Sequence, residues 1–131
     1  MVCAGIQGQP GPLVEVRHAL GRWAARTGLP AATAADLVLS SYEALANAAD
    51  HAYPSGEGPV DLVAARTTDG RVLVTVTDHG QWRPPPHDPG FRGRGLMMIK
   101  ALSQRAEVTQ GPRGTTVLME WELPAGRPRP E

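Results

Sequence analysis

The chain has 131 residues, thirteen Lys and Arg against thirteen Asp and Glu, and a single cysteine, Cys3. That length suits one domain burying a core without disulfides or structural metal, and zero net charge leaves no field to recruit nucleic acid, a membrane surface or an acidic partner. One thiol excludes an internal disulfide framework or a Cys-based metal site, and no apolar run approaches the roughly 18 residues of a spanning helix, so a cytoplasmic protein is expected.

Met1 to Gly11 is a stretch of small, flexible residues and is expected to be a leader without a strand. From Pro12, the apolar period Leu13, Val16, Leu20, Trp23 and Ala24 predicts an amphipathic helix ending near Thr27-Gly28. That stripe could form a pairing surface in a homodimer, but it is also what a core-facing helix needs, and core packing is the expectation. Pro30 can occupy a first helical position, and the Ala-rich run after it predicts a second helix to about Ala52, closed by Pro54 and Gly56.

Pro59 to Thr68 and Arg71 to Asp78 are rich in Val and Leu and are separated by Asp69-Gly70, a strong hairpin signal. Strand side chains alternate, so Val72, Val74, Val76 and Asp78 share one face, and a carboxylate ends an apolar row. Gln81 to Arg94 contains Pro84, Pro85, Pro86 and Pro89 and no period, so it predicts a long, partly stiffened loop of the kind that often serves as a lid. Leu96 to about Arg105 reads as a helix, and Ala106 to Gln110 with Thr115 to Leu123 as a second hairpin turned at Gly111-Pro112-Arg113-Gly114. Pro124 to Glu131 reads as an unstructured tail, leaving one domain over residues 12–123. The element order describes an α+β fold, a two-layer sandwich of a mostly antiparallel sheet with helices on one face.

On the second helix Asp36, Ser40, Glu43, Asn47, Asp50 and His51 fall on one arc, while Leu37, Val38, Ala44, Leu45, Ala48 and Ala52 lie opposite. Periodicity alone makes that arc a solvated surface. The residue types point elsewhere: Asn is a poor helix former at mid-helix, and no Lys or Arg lies between Arg26 and Arg66. A carboxylate and an amide oxygen one turn apart can supply hard oxygen ligands or orient a hydroxyl. His51 follows on the same face, where a helix-terminal cap is the simpler role.

Asp78-His79-Gly80 reads as a turn opened by Asp with Gly at positive φ. A partly buried Asp78 carboxylate, an acceptor only, could instead take the exocyclic N–H of adenine, where guanine would present an oxygen. Gly90, Gly93 and Gly95, with Arg92 and Arg94, precede the helix near Leu96 and place backbone N–H groups at a helix start, a phosphate-favouring arrangement. This segment lacks the Lys-Ser/Thr ending of a P-loop and does not follow a strand as a dinucleotide fingerprint does.

In order, Glu43-Ala-Leu-Ala-Asn47-Ala-Ala-Asp-His51-Ala-Tyr53, Asp78-His-Gly80, Gly93-Arg-Gly95-Leu96 and Gly114-Thr115-Thr-Val117 resemble the boxes of the gyrase, chaperone, histidine-kinase and MutL ATPase superfamily. The chain looks most like the bacterial anti-sigma factor serine kinases, whose first box typically continues as His51-Ala-Tyr53 does here. The resemblance implies the histidine-kinase-like ATPase fold, with ATP and Mg²⁺ bound. It implies Glu43 as general base, Asn47 as Mg²⁺ ligand, and Asp78 as the reader of adenine, with Gly80 shaping its pocket. Gly93 and Gly95, with Arg94 and Leu96 in the same box, would approach phosphate, and Thr115 would support the adenine side.

The implied reaction passes the γ-phosphoryl of ATP to a serine or threonine of an anti-anti-sigma (STAS-type) partner, while the kinase sequesters a sigma factor and so regulates transcription and stress response. The alternative is a module that uses ATP to control partner binding without phosphotransfer. A sensor histidine kinase fits less well, since His18 is the only histidine before Glu43 and no helical-hairpin acceptor domain precedes the site. Two departures stand out: no first strand is read before Pro12, so the chain could use a partner to complete its sheet, and Gln81-Trp82 replaces a usual second glycine. Relatives also occur fused to phosphatase or anti-anti-sigma modules, so the chain could be a piece of a larger regulator.

Overall fold

The computed structural model describes residues 1–51, 59–80, 90–112 and 114–124, with residues 51 and 90–95 described by backbone alone. In chain order the elements are β1 (Val2–Ile6), α1 (Pro10–Ala24), α2 (Ala31–His51), β2 (Val60–Arg66), β3 (Arg71–Asp78), α3 (Gly90–Leu102), β4 (Arg105–Gly111) and β5 (Gly114–Glu122). Both expected hairpins form, β2 with β3 and β4 with β5. Asp69-Gly70 turns the first, with Gly70 at φ 87°, a conformation that costs glycine nothing. The sheet is antiparallel in the order β1-β2-β3-β5-β4, so the Val-rich β3 is central.

The alternation read in β3 holds in space. Val72, Val74 and Val76 are buried with Leu62 and Ala64 of β2 and Val117, Met119 and Trp121 of β5, forming the inner face of the sheet. Helix α2 lies against that face over β2, β3 and β5, and α1 and α3 pack on α2, which gives the two-layer α+β sandwich expected. Leu13, Val16, Leu20 and Ala24 of α1 are buried within the chain and Trp23 packs partly buried against the same cluster, so the stripe faces the core. Trp121 Nε1 donates to Leu102 O at 2.9 Å and ties the end of α3 to the sheet.

Three expectations need correction or fall outside. Within the supposed leader, Val2–Ile6 form β1, pairing Val2 with Val63, Cys3 with Leu62 and Ile6 with Val60. The signal for this strand is the free edge of β2 rather than its own sequence, which includes a glycine and an alanine among five residues. The sheet therefore has a first strand of its own. The helix expected near Leu96 begins at Gly90, so Gly90, Gly93 and Gly95 lie within its first turns. Glycine carries no side chain, and apolar periodicity cannot register a helix start made of it. The loop around Gln81-Trp82, the helix end at Ala52, Tyr53, Pro54 and Gly56, and the tail beyond Pro124 lie outside the described residues.

Ser40 and Ser41 on α2 are fully buried, and they differ in one respect. Ser40 Oγ donates to Leu37 O at 3.2 Å, whereas Ser41 Oγ is buried with no hydrogen-bond partner among the described residues. An unpaired buried hydroxyl costs about 1–3 kcal/mol. Ser41→Ala also gains helix propensity, so it is expected to stabilise the domain by about 1 kcal/mol in thermal melts, whereas Ser40→Ala gains less because it gives up a hydrogen bond. A lower melting temperature for Ser41→Ala would mean the hydroxyl has a partner in solution.

Candidate functional site

Asp78 is the last residue of β3 and continues the inner-face row after Val72, Val74 and Val76, which places a carboxylate, 4% exposed, at the rim of the apolar layer. Such a group persists only when its oxygens are satisfied. Oδ1 accepts the Gly80 N–H at 3.2 Å, closing the turn of Asp78-His79-Gly80, and the Thr115 N–H, also at 3.2 Å. Thr115 is the ladder partner of Asp78 across β3 and β5. The structure thus brings Asp78, Gly80 and Thr115 together.

Gly114 makes this approach possible. At φ 139°, a Cβ built on it would sit 2.0 Å from the Asp78 carbonyl oxygen and 3.0 Å from the His79 Cα. Only a residue without a side chain lets β5 begin against the end of β3.

Glu43 and Asn47 sit one turn apart on α2, both half-buried, while Ala44, Leu45, Ala48 and Ala49 on the other flank are buried against the core. Asp36 is half-buried and Asp50 exposed, so the polar arc is a partly covered flank of the helix that packs on β3 and β5. A carboxylate and an amide oxygen there are hard donors, the chemistry that Mg²⁺ accepts alongside phosphate oxygens and water. Among the described residues no cluster of His, Cys, Asp or Glu forms a metal site of its own. A cation held by Asn47 would complete its shell with phosphate oxygens and water.

Gly93, Arg94 and Gly95 belong to the helical backbone of α3, and their side chains are outside the described set. Leu96 is half-buried and packs against the core. No helix among the described residues is long and apolar enough to cross a membrane.

Two residues near the site were not singled out as site residues from sequence. Asp61 of β2 accepts the Gly5 N–H on Oδ1 at 2.7 Å and meets His79 Nε2 with Oδ2 at 2.8 Å. The imidazole hydrogen bond, then the Gly5 N–H, hold the Asp61 carboxyl below its ordinary value of 3.8. A lowered folded-state value means these contacts add stability above that pH and lose it as pH falls through the lowered value. The available signal was an Asp inside a strand of Val, Leu and Ala, where Asp is disfavoured. On the solvent side of the sheet, His79 also lines an open hollow of about 290 Å³ with Thr77, Thr109, Gln110 and Thr116.

The family described as "Histidine kinase-like ATPase domain" matches residues 6–121. Among solved structures, the chain is similar to the RsbU and RsbW domains of a Mycobacterium tuberculosis protein at 28% identity and a TM-score of 0.74, covering 94% of this chain and 32% of that one. It is similar to the histidine kinase domain of a blue-light activated histidine kinase from Erythrobacter litoralis at 26% identity and a TM-score of 0.63, over 86% of this chain and 60% of that one. The SiaB-SiaC complex from Pseudomonas aeruginosa shares the fold at 17% identity and a TM-score of 0.67, over 92% of this chain and 88% of that one. The chain thus spans about a third of the mycobacterial chain and 60% of the Erythrobacter one.

Proposed function

This chain belongs to the histidine kinase-like ATPase domain family, and we propose that it is an anti-sigma factor serine/threonine kinase that transfers the γ-phosphoryl of ATP to a STAS-type anti-anti-sigma partner. The observation that carries the nucleotide reading is Asp78, a buried carboxylate at the rim of the core whose Oδ1 is held by the Gly80 and Thr115 N–H groups. Fixed in that way, the carboxylate accepts the exocyclic N–H of adenine and repels the C6 oxygen of guanine. The kinase reading is supported by the His51-Ala-Tyr53 continuation of the first box and by likeness, at 28% identity, to a chain with an RsbW domain.

In this reading the partner's hydroxyl oxygen forms a bond to the γ-phosphorus as the bond from that phosphorus to the β–γ bridging oxygen breaks, and ADP leaves. Glu43 accepts the hydroxyl proton. Asn47 would hold Mg²⁺, which when bound offsets the charge of the phosphates. The start of α3 would lie on the phosphate side, where Gly93 and Gly95 lack side chains and permit close approach, with Arg94 and Leu96 in the same box. Thr115 supports the adenine side through the N–H it gives to Asp78. The same protein would bind a sigma factor in the cytoplasm and release it as the phosphorylation state of the partner changes.

The test is incubation with Mg²⁺, γ-labelled ATP and a STAS-type partner carrying an acceptor serine. Label is expected on the partner and absent when Mg²⁺ is chelated. Nucleotide-dependent association with no label on the partner would replace the kinase with a module that uses ATP only to control its grip.

A further inference from the structure

We infer that Asp61 is a positioning residue for the adenine end of the site, fixing the Asp78-His79-Gly80 turn from the solvent side of the sheet. The inference rests on the proposed reading of Asp78 as the group that meets adenine.

Strand β3 ends its ladder pairs at Asp78, opposite Val60 on one side and Thr115 on the other. The two following residues leave the sheet, and side-chain alternation sends Asp78 into the helix layer and His79 to the opposite face. Asp78 is held on the inside by the Gly80 and Thr115 N–H groups. On the outside, His79 Nε2 meets Asp61 Oδ2 at 2.8 Å. The other Asp61 oxygen takes the Gly5 N–H at 2.7 Å, at the point where the β1–β2 register shifts and Gly5 adopts φ 66°. A bulge turns an amide out of the ladder, and here a carboxylate gives it an acceptor. One side chain on β2 therefore joins β1 to the middle residue of the Asp-x-Gly turn.

The Asp61 and His79 side chains are 34% and 54% exposed. Ion pairs this open to water contribute little to global stability, so replacing either residue leaves a folded domain. What the contact can change is the direction of the Asp78 carboxylate, since hydrogen bonds weaken steeply with angle. Such an effect falls on discrimination at the base and spares the phosphate end. Loss of fold would lower binding of every nucleotide alike.

The experiment measures equilibrium affinities of the full chain for Mg·ATP and Mg·GTP in the native protein, Asp61→Ala, His79→Ala, the double variant and Asp78→Asn, each with its melting temperature. Asp61→Ala is expected to weaken ATP about fivefold with GTP unchanged, the size of one weakened hydrogen bond. His79→Ala should match it, and the double variant should lose no more than either single, because either replacement already removes the contact between Asp61 and His79. Asp78→Asn should abolish the preference for ATP. An unchanged ATP-to-GTP ratio in Asp61→Ala, or additive losses in the double variant, overturns the positioning role. If Asp78→Asn keeps the ATP preference, the adenine reading itself falls and the inference falls with it.

Discussion

Glu43→Ala is expected to slow phosphoryl transfer to the partner by about 10²–10⁴-fold, the usual contribution of a positioned general base, while Mg·ATP affinity stays within about twofold. The structural reason for expecting a clean separation lies in α2. Glu43 is on the half-exposed flank, and the neighbours that hold the helix to the sheet, Ala44 and Leu45, point the other way and are buried. Alanine is the best helix former, so the variant keeps both helix and core. Glu43→Gln preserves size and hydrogen bonding but cannot take a proton at neutral pH, and it should be as slow as the alanine variant. Single-turnover transfer alongside equilibrium nucleotide binding provides the check. Native-like transfer by either variant would remove Glu43 from the chemistry.

Gly114→Ala is expected to cost about 2 kcal/mol or more, with a melting temperature lower by roughly 5–10 °C, and to abolish detectable ATP binding. The added carbon would lie 2.0 Å from the Asp78 carbonyl oxygen, 2.9 Å from its carbon and 3.0 Å from the His79 Cα. All three obstacles are backbone, so no rotamer change relieves them. Either β5 withdraws from β3 or the Asp78 turn moves, and both separate the Thr115 N–H from Asp78 Oδ1, now 3.2 Å apart. Gly70→Ala is the control: φ is 87° there but nothing lies within 4 Å, so only the backbone strain of about 1–2 kcal/mol applies. Calorimetric melts and nucleotide titration separate the two. If Gly114→Ala resembled Gly70→Ala in stability and still bound ATP, the close approach would have no functional weight.

The parts of this molecule that were legible in sequence are those whose signal is local. Asp69-Gly70 between two alternating runs specified the first hairpin, and the row from Val72 to Asp78 specified which carboxylate would point into the core. The stripe from Leu13 to Ala24 was legible as an apolar face and read as core, which its burial bears out, although dimer pairing asks for the same pattern. Strand β1 was hidden because its partner supplies the signal: five residues with φ 66° at Gly5 become a strand only beside β2. The start of α3 was hidden for the opposite reason, since glycines give a periodicity argument nothing to count. Periodicity alone read Glu43 and Asn47 as solvated, yet both are half-buried: a partly covered flank and a solvent flank look alike along the sequence.

The two N–H groups that hold Asp78 come from very different distances along the chain, one two residues on and the other 37 residues on. The second cannot reach the carboxylate until β5 has closed onto β3, so an unfolded chain contains no version of this acceptor site. A ligand that reads Asp78 is therefore a ligand of the native state alone. Its binding free energy adds by mass action to the stability of the sheet, so if nucleotide is that ligand, its concentration around the protein becomes one of the terms that decide how much of it is folded.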